Sequence, residues 1–208
     1  MIIVMTRAAF FPGLLGVMLC LVGTQAARAT SVIPPTFPEL VTEAEAIVRG
    51  RVTDIAVRRS SAPDGTPVIK THVTFAVERT LKGPERREVT LEFLGGTVGD
   101  ESLVVSGQPR FELGSVDYVF IEGNGIQFCP LVAVRHGRYR LLRDAGGNEF
   151  VARDNAAPLL DVSQVALPLA VLPGVLRAAG PGSGLSPLVF EAAIRSELGR
   201  SPANARTR

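Results

Sequence analysis

Residues 47–58 read Ile47-Val48-Arg49-Gly50-Arg51-Val52-Thr53-Asp54-Ile55-Ala56-Val57-Arg58. Val48, Gly50 and Val52 alternate with Arg49, Arg51 and Thr53, the period of a strand with two unlike faces. Ile55 and Val57 carry the apolar alternation on, but one residue out of phase. One inserted residue produces such a slip, so a bulge is expected near Asp54. Gly50 in mid-strand adds a point of tight curvature. A flat sheet keeps its alternation throughout, whereas a strand that wraps two sides of a barrel must bend.

Downstream, Pro63-Asp64-Gly65 marks a turn. A second long strand runs from Val68 to Leu81, with Thr71, Val73, Phe75 and Val77 alternating with His72, Thr74, Ala76 and Glu78. Lys82-Gly83-Pro84-Glu85 turns the chain into a third strand, Glu88 to Leu94, which ends at Gly95-Gly96. Leu103 to Gly107 forms a short strand, and Val116 to Glu122 a further one. Gly123-Asn124-Gly125 is the strongest tight-hairpin signal in the chain, since its residues tolerate positive φ. Leu131 to Val134, Gly137 to Leu142 and Glu149 to Arg153 supply the remaining strands. Short turns between so many strands predict a mainly β fold, an antiparallel barrel over about residues 46–153 within a domain of residues 30–154.

The flanks differ from this core. Residues 30–38 are extended, because Pro34-Pro35 forbids helix there. Pro38 to Ala46 then reads as a short helix with acids in its first turn. Residues 155–185 are apolar but crowded with Pro and Gly, a loop that packs partly on the sheet. A C-terminal helix is expected over 186–199: Ser186 caps it, Pro187 opens it and Gly199 follows its end. Phe190, Ile194 and Leu198 fall on one face, which makes it amphipathic. Residues 200–208 are expected to be disordered.

The first 29 residues form a three-part export signal. Arg7 supplies the charge, Ala8 to Gly23 the apolar run and Ala27-Arg28-Ala29 the small residues of a peptidase site. The run is shorter than a spanning helix and holds Pro12-Gly13. Leu19 before Cys20 is too large for a lipoprotein site. The expected mature chain begins at Thr30 and is periplasmic or secreted, with no stable membrane insertion. Arg7 and Arg28 leave with the leader, so 20 basic residues remain against 20 acidic ones. A chain of no net charge has no field for nucleic acid. Cys129 stays as a lone cysteine, so no internal disulfide is expected, and its apolar neighbours make it a small buried hydrophobe.

Compact catalytic signatures are missing. The chain has no His-Glu-x-x-His, Cys-x-x-Cys, Walker loop, Gly-x-Ser-x-Gly or Ser-x-x-Lys. His72 on the polar face of its strand and His136 beside Gly137 read as solvated surface residues. Asp100-Glu101 lies in a loop, and adjacent carboxylates point apart, which is not the geometry of a glycosidase pair. Asp144, Asn148 and Asp154 lack calcium-loop spacing and suit turns instead. Arg49, Arg51, Arg58 and Arg59 form a basic stripe that Glu78, Glu88 and Glu92 on neighbouring strands are placed to neutralise. No catalytic, metal or cofactor residue is therefore assigned.

Three segments carry a resemblance. Ala44-Glu45-Ala46-Ile47-Val48-Arg49-Gly50-Arg51-Val52 resembles the opening strand of exported OB-like barrels, including the netrin-like modules of metalloprotease inhibitors. Val77-Glu78-Arg79-Thr80-Leu81-Lys82-Gly83 is similar to the end of their second strand. Phe111-Glu112-Leu113-Gly114 before Tyr118-Val119-Phe120 is similar to a later segment. The same order, with Gly95-Gly96-Thr97-Val98-Gly99 and His136-Gly137-Arg138-Tyr139-Arg140, also resembles a family of uncharacterised secreted bacterial proteins. The resemblance spans Thr36 to Arg153 and implies an OB-like barrel. It transfers no functional residue, since inhibitory netrin-like modules bind zinc through an N-terminal Cys and this chain has none there. The expected function is that of an exported, non-enzymatic binding or interaction module, whose partner is another exported protein. The alternative is a secreted hydrolase with a site assembled from scattered residues.

Overall fold

The computed structural model describes residues 32–62, 64–169 and 184–200. The leader, much of the Pro/Gly-rich stretch and the tail beyond Arg200 lie outside the described residues. Among the described residues, eight strands and two helices follow in chain order. Helix α1 is Phe37–Glu43, and the strands are β1 Ala46–Ser61, β2 Pro67–Lys82, β3 Glu88–Leu94, β4 Gly96–Val98, β5 Glu101–Leu103, β6 Val116–Ile121, β7 Arg138–Arg143 and β8 Glu149–Arg153. Helix α2 is Pro187–Arg200. Six strands form one antiparallel sheet in the order β3-β2-β1-β6-β7-β8, and β4 pairs with β5 alone. The ladder is open, with β3 and β8 at its edges.

The phase slip in the first strand is a bulge. Val52 pairs with Phe75 and Asp54 with Thr74, so Thr53 is the inserted residue. Its hydroxyl donates to the Thr74 carbonyl at 3.2 Å, holding the bulge to the partner strand. Gly50 serves close approach as much as curvature: a Cβ there would sit 3.0 Å from the Phe75 Cβ and 3.1 Å from the Ala76 carbonyl.

Alternation then sorts side chains onto two faces, and each carries a buried cluster. Val48, Val52, Val73, Phe75, Leu91, Phe93, Val119 and Ile121 form one cluster with Cys129 and Leu131. Ile47, Tyr118, Phe120, Tyr139 and Val151 form a second, beneath Phe37, Leu40 and Val41 of α1 and Phe190 and Ile194 of α2. β6 is therefore buried on both sides, whereas β1 and β2 are amphipathic over much of their length.

The helices start where their chemistry dictates, but α2 runs through Gly199 to Arg200 instead of ending before that glycine. Thr36 and Glu39 form a capping box: the Thr36 hydroxyl accepts from the Glu39 amide, and the Glu39 carboxylate accepts from the Thr36 amide at 2.8 Å. The Lys82 ammonium donates to the Val41 and Thr42 carbonyls at 2.8 and 2.9 Å, satisfying the far end of α1 with a positive charge. Ser186 accepts from the Val189 amide at the start of α2. The loop after β8 does pack on the sheet: the Leu159 amide donates to the Val151 carbonyl at 2.9 Å, and Leu159 and Val165 are buried.

Three expectations need correction. The tight hairpin at Gly123-Asn124-Gly125 is a wider loop, closed by the Ile121–Leu131 bridge and by the Glu122 amide donating to the Pro130 carbonyl. Asn124 is held elsewhere: its side chain accepts from the Glu92 amide and donates to the Thr90 carbonyl, so it covers the exposed edge of β3. Leu131 to Val134 is not a strand, because Ala133 and Val134 both take left-handed backbone, φ 47° and 58°, and lead into a short 3-10 turn over Val134–Gly137. The short strand expected over Leu103 to Gly107 instead covers Glu101–Leu103, where pairing with β4 is available.

Candidate functional site

A cleft of about 860 Å³ opens between the β1–β3 wall, the β7 wall and the segment that follows β5. Its floor is apolar, with Ile55, Val73, Phe93 and Phe111. Its far wall is cationic, with Arg135, Arg138 and Arg140, and Arg110 stands exposed beside Phe111. Pockets of this size that combine apolar walls with a few polar groups are the usual form of small-ligand sites.

The charged wall follows from strand register. Arg138 and Arg140 are two apart on β7 and share one face, while Tyr139 points into the helix-covered cluster. Across the ladder Asp117 pairs with Arg140 and Val119 with Arg138. The Arg138 Nε donates to Asp117 Oδ1 at 2.9 Å, and its Nη1 donates to Asp154 Oδ1 at 3.1 Å and to the Arg110 carbonyl. Arg138, Asp117 and Asp154 are all buried, so each charge is taken out of water and needs this pairing. The Arg138 guanidinium lies 4.2 Å from the Phe111 ring centre, a cation–π contact that also holds the ring toward Phe93 and Phe75. Arg135 completes the group by donating its Nε to Asp154 Oδ2.

Two donors of this wall remain without a hydrogen bond. Arg138 Nη2 lies 2.9 Å from Asp117 Oδ1, an ion-pair distance, without hydrogen-bond alignment. Arg140 Nε has no acceptor at all, and its Nη2 reaches only the exposed Glu112, at 3.8 Å. A buried N–H left unsatisfied is costly and uncommon.

His136 is a correction. It is 7% exposed rather than solvated, because the left-handed pair Ala133-Val134 turns the chain inward and Gly137 packs against Val132, where a Cβ would meet backbone at 2.8 Å. Burial, with Arg153 and Arg135 nearby, holds its imidazole down at about 4, against the opposing pull of Asp154. His72 is half-buried, paired with Ala56 and Glu92 across the ladder. Cys129 is 1% exposed, and burial pushes its thiol up to about 12, which leaves it inert at neutral pH.

The remaining candidates disperse. Asp144 serves its own turn, accepting from the Gly146 and Asn148 amides at 2.8 and 2.9 Å. Asp154, once grouped with it, belongs to the arginine cluster instead. Glu101 pairs with Arg59. Arg49 and Arg51 both meet Glu78, as the stripe anticipated, but Glu92 pairs with Lys70. Among the described residues, no three His, Cys, Asp or Glu side chains gather as cation ligands. Among those same residues, no helix is long and apolar enough to cross a membrane.

The cleft wall was missed from sequence, though two signals were present. Asp117 is a lone acid inside the apolar run Val116 to Ile121, and Arg138 and Arg140 flank a tyrosine in strand alternation. A charge at a position that alternation buries calls for a buried partner. No family model matches the chain, and no curated protein is similar to it.

Proposed function

We propose that the chain is an exported, non-enzymatic binding module, built on an OB-like barrel, whose ligand surface is the arginine-walled cleft. The carrying observation is the cleft itself: about 860 Å³, apolar on its floor and lined on one side by Arg138 and Arg140. Its polar groups are guanidiniums, the carboxylates that neutralise them, the hydroxyls of Thr71, Thr97, Ser102 and Ser106 and the Gln108 amide, and of these Thr71, Thr97, Ser102 and Gln108 are held in hydrogen bonds within the wall. A hydrolase needs a nucleophile or a base within reach of its substrate, and Cys129 and His136 are not among the residues that line the cleft. The barrel scaffold is supported by the Thr53 bulge, by Gly50 and by the Asn124 loop laid along the β3 edge. Export is supported by the charge, apolar run and Ala27-Arg28-Ala29 of the leader.

Native mass spectrometry of protein purified from the periplasm or medium tests both parts. The expected chain begins at Thr30 and carries a co-purifying molecule. Ser106→Trp, an exposed substitution at the cleft rim, should displace that molecule. Full-length precursor retained in the membrane fraction would overturn export. Turnover of an ester, amide or glycoside that Ser106→Trp abolishes would overturn the non-enzymatic assignment.

A further inference from the structure

Resting on that binding role, we infer that the cleft takes a monoanionic carboxylate carried on an apolar body. Arg138 and Arg140 share one strand face in a wall of the same cleft: Arg140 Nε is a buried donor with no acceptor, and Arg138 Nη2 has only the Asp117 carboxylate, 2.9 Å away and out of hydrogen-bond alignment. Arg138 is 2% exposed, so no bulk water serves it. Nε and Nη1 of that guanidinium are engaged, which leaves the two hydrogens of Nη2, beside Asp117, to meet an incoming oxygen. A planar oxyanion with two lone-pair edges satisfies two guanidinium donors at once, in the fork geometry that arginine favours.

Charge selects the class further. Arg110, Arg135, Arg138 and Arg140 face three carboxylates, Asp117, Asp154 and Glu112, so the wall carries one positive charge in excess. One negative charge balances it. A dianion such as phosphate would overshoot and bring its second charge against Asp117 and Asp154 in a region of low dielectric. The floor of Ile55, Val73, Phe93 and Phe111 suits an alkyl or aryl group, and the Thr71, Thr97 and Ser102 hydroxyls of the rim are already engaged with Gly95 and with each other. Head and tail are thus matched by different sides of one cleft.

Calorimetric titration of the mature protein with octanoate, octanol, octylamine and inorganic phosphate at physiological ionic strength tests this. Octanoate should bind saturably, and the other three at least about 10-fold more weakly. Arg140→Gln should weaken octanoate about 10-fold or more at unchanged melting temperature. Glu112→Gln, at an exposed rim position, should tighten it about 2- to 3-fold by removing a competing carboxylate. Octanol binding as well as octanoate would overturn the inference, as would phosphate binding at least as tightly, or Glu112→Gln leaving octanoate affinity unchanged or weaker. Recovery of a neutral or cationic molecule displaced by Ser106→Trp overturns the carboxylate class and leaves the binding role standing. Absence of any Ser106→Trp-sensitive occupant, native or added, overturns both.

Discussion

Tyr118 on β6 donates its hydroxyl to Glu191 on α2 across 3.0 Å, and neither group reaches solvent. Burial raises the Tyr118 phenol above its ordinary range, so it stays a donor at every physiological pH. Glu191 also meets Arg49 at 3.1 Å, Arg79 at 3.3 Å and Arg195 at 3.1 Å. This one carboxylate joins the C-terminal helix to β1, β2 and β6.

Glu191→Ala should therefore destabilise the fold by about 2–4 kcal/mol, because it leaves the Tyr118 hydroxyl and Arg49 without their buried acceptor. Glu191→Gln keeps the acceptor and removes the charge, and should cost less. Denaturant titration of the two variants gives the comparison. Equal, small losses would mean that the helix is held by Phe190 and Ile194 alone.

Phe75→Ala tests the inside face. Phe75 is fully buried and meets Phe111 edge-on at 5.4 Å. Its removal should cost about 3–5 kcal/mol, a large part of an ordinary domain's stability. Thr74 points the other way, half-buried with its hydroxyl 3.0 Å from that of Thr90. Thr74→Ala should cost about 1 kcal/mol. Similar costs at the two positions would refute the assignment of faces.

His136 makes stability depend on pH. Its folded value of about 4 lies below its ordinary value of 6.5, so the unfolded chain takes up the proton first as pH falls. The contribution is fully present above pH 6.5 and is lost as pH drops from there toward 4. About 1–3 kcal/mol should disappear across that window. His136→Gln should flatten the profile there. A profile identical to that of the native chain would place the histidine in solvent.

Cys129 should resist a thiol-specific chromogenic reagent in the native state and react only as the protein unfolds, since burial keeps it protonated and covered. Reductant should leave the melting temperature unchanged. Stoichiometric labelling of native protein within minutes would show that the covering loop over residues 123–130 opens readily.

Much of the sheet was legible because its signals are local. The alternation through Val73 and Phe75, the slip that marks the Thr53 bulge and the Phe190–Ile194 stripe each lie within one element. Pro187 sets a helix start for the same reason. The segment from Leu131 to Gly137 was misread because its apolar residues promise a strand, whereas close packing of Gly137 on Val132 and the left-handed pair Ala133-Val134 decide the turn.

By itself the sequence determined a mainly β chain, its long first two strands with a bulge in the first, its two helices and the inward face of β1, β2 and β3, because propensity and periodicity act over a few residues. Tertiary structure alone decided that β6 is buried on both sides, and that Asp117, Arg138 and Asp154 meet across three strands at the wall of a cleft. It also decided that Glu191 ends beneath Arg49, 142 residues away. Which charges become partners depends on which strands become neighbours, and that order is set by the packing of the whole sheet against its two helices rather than by any short stretch of chain.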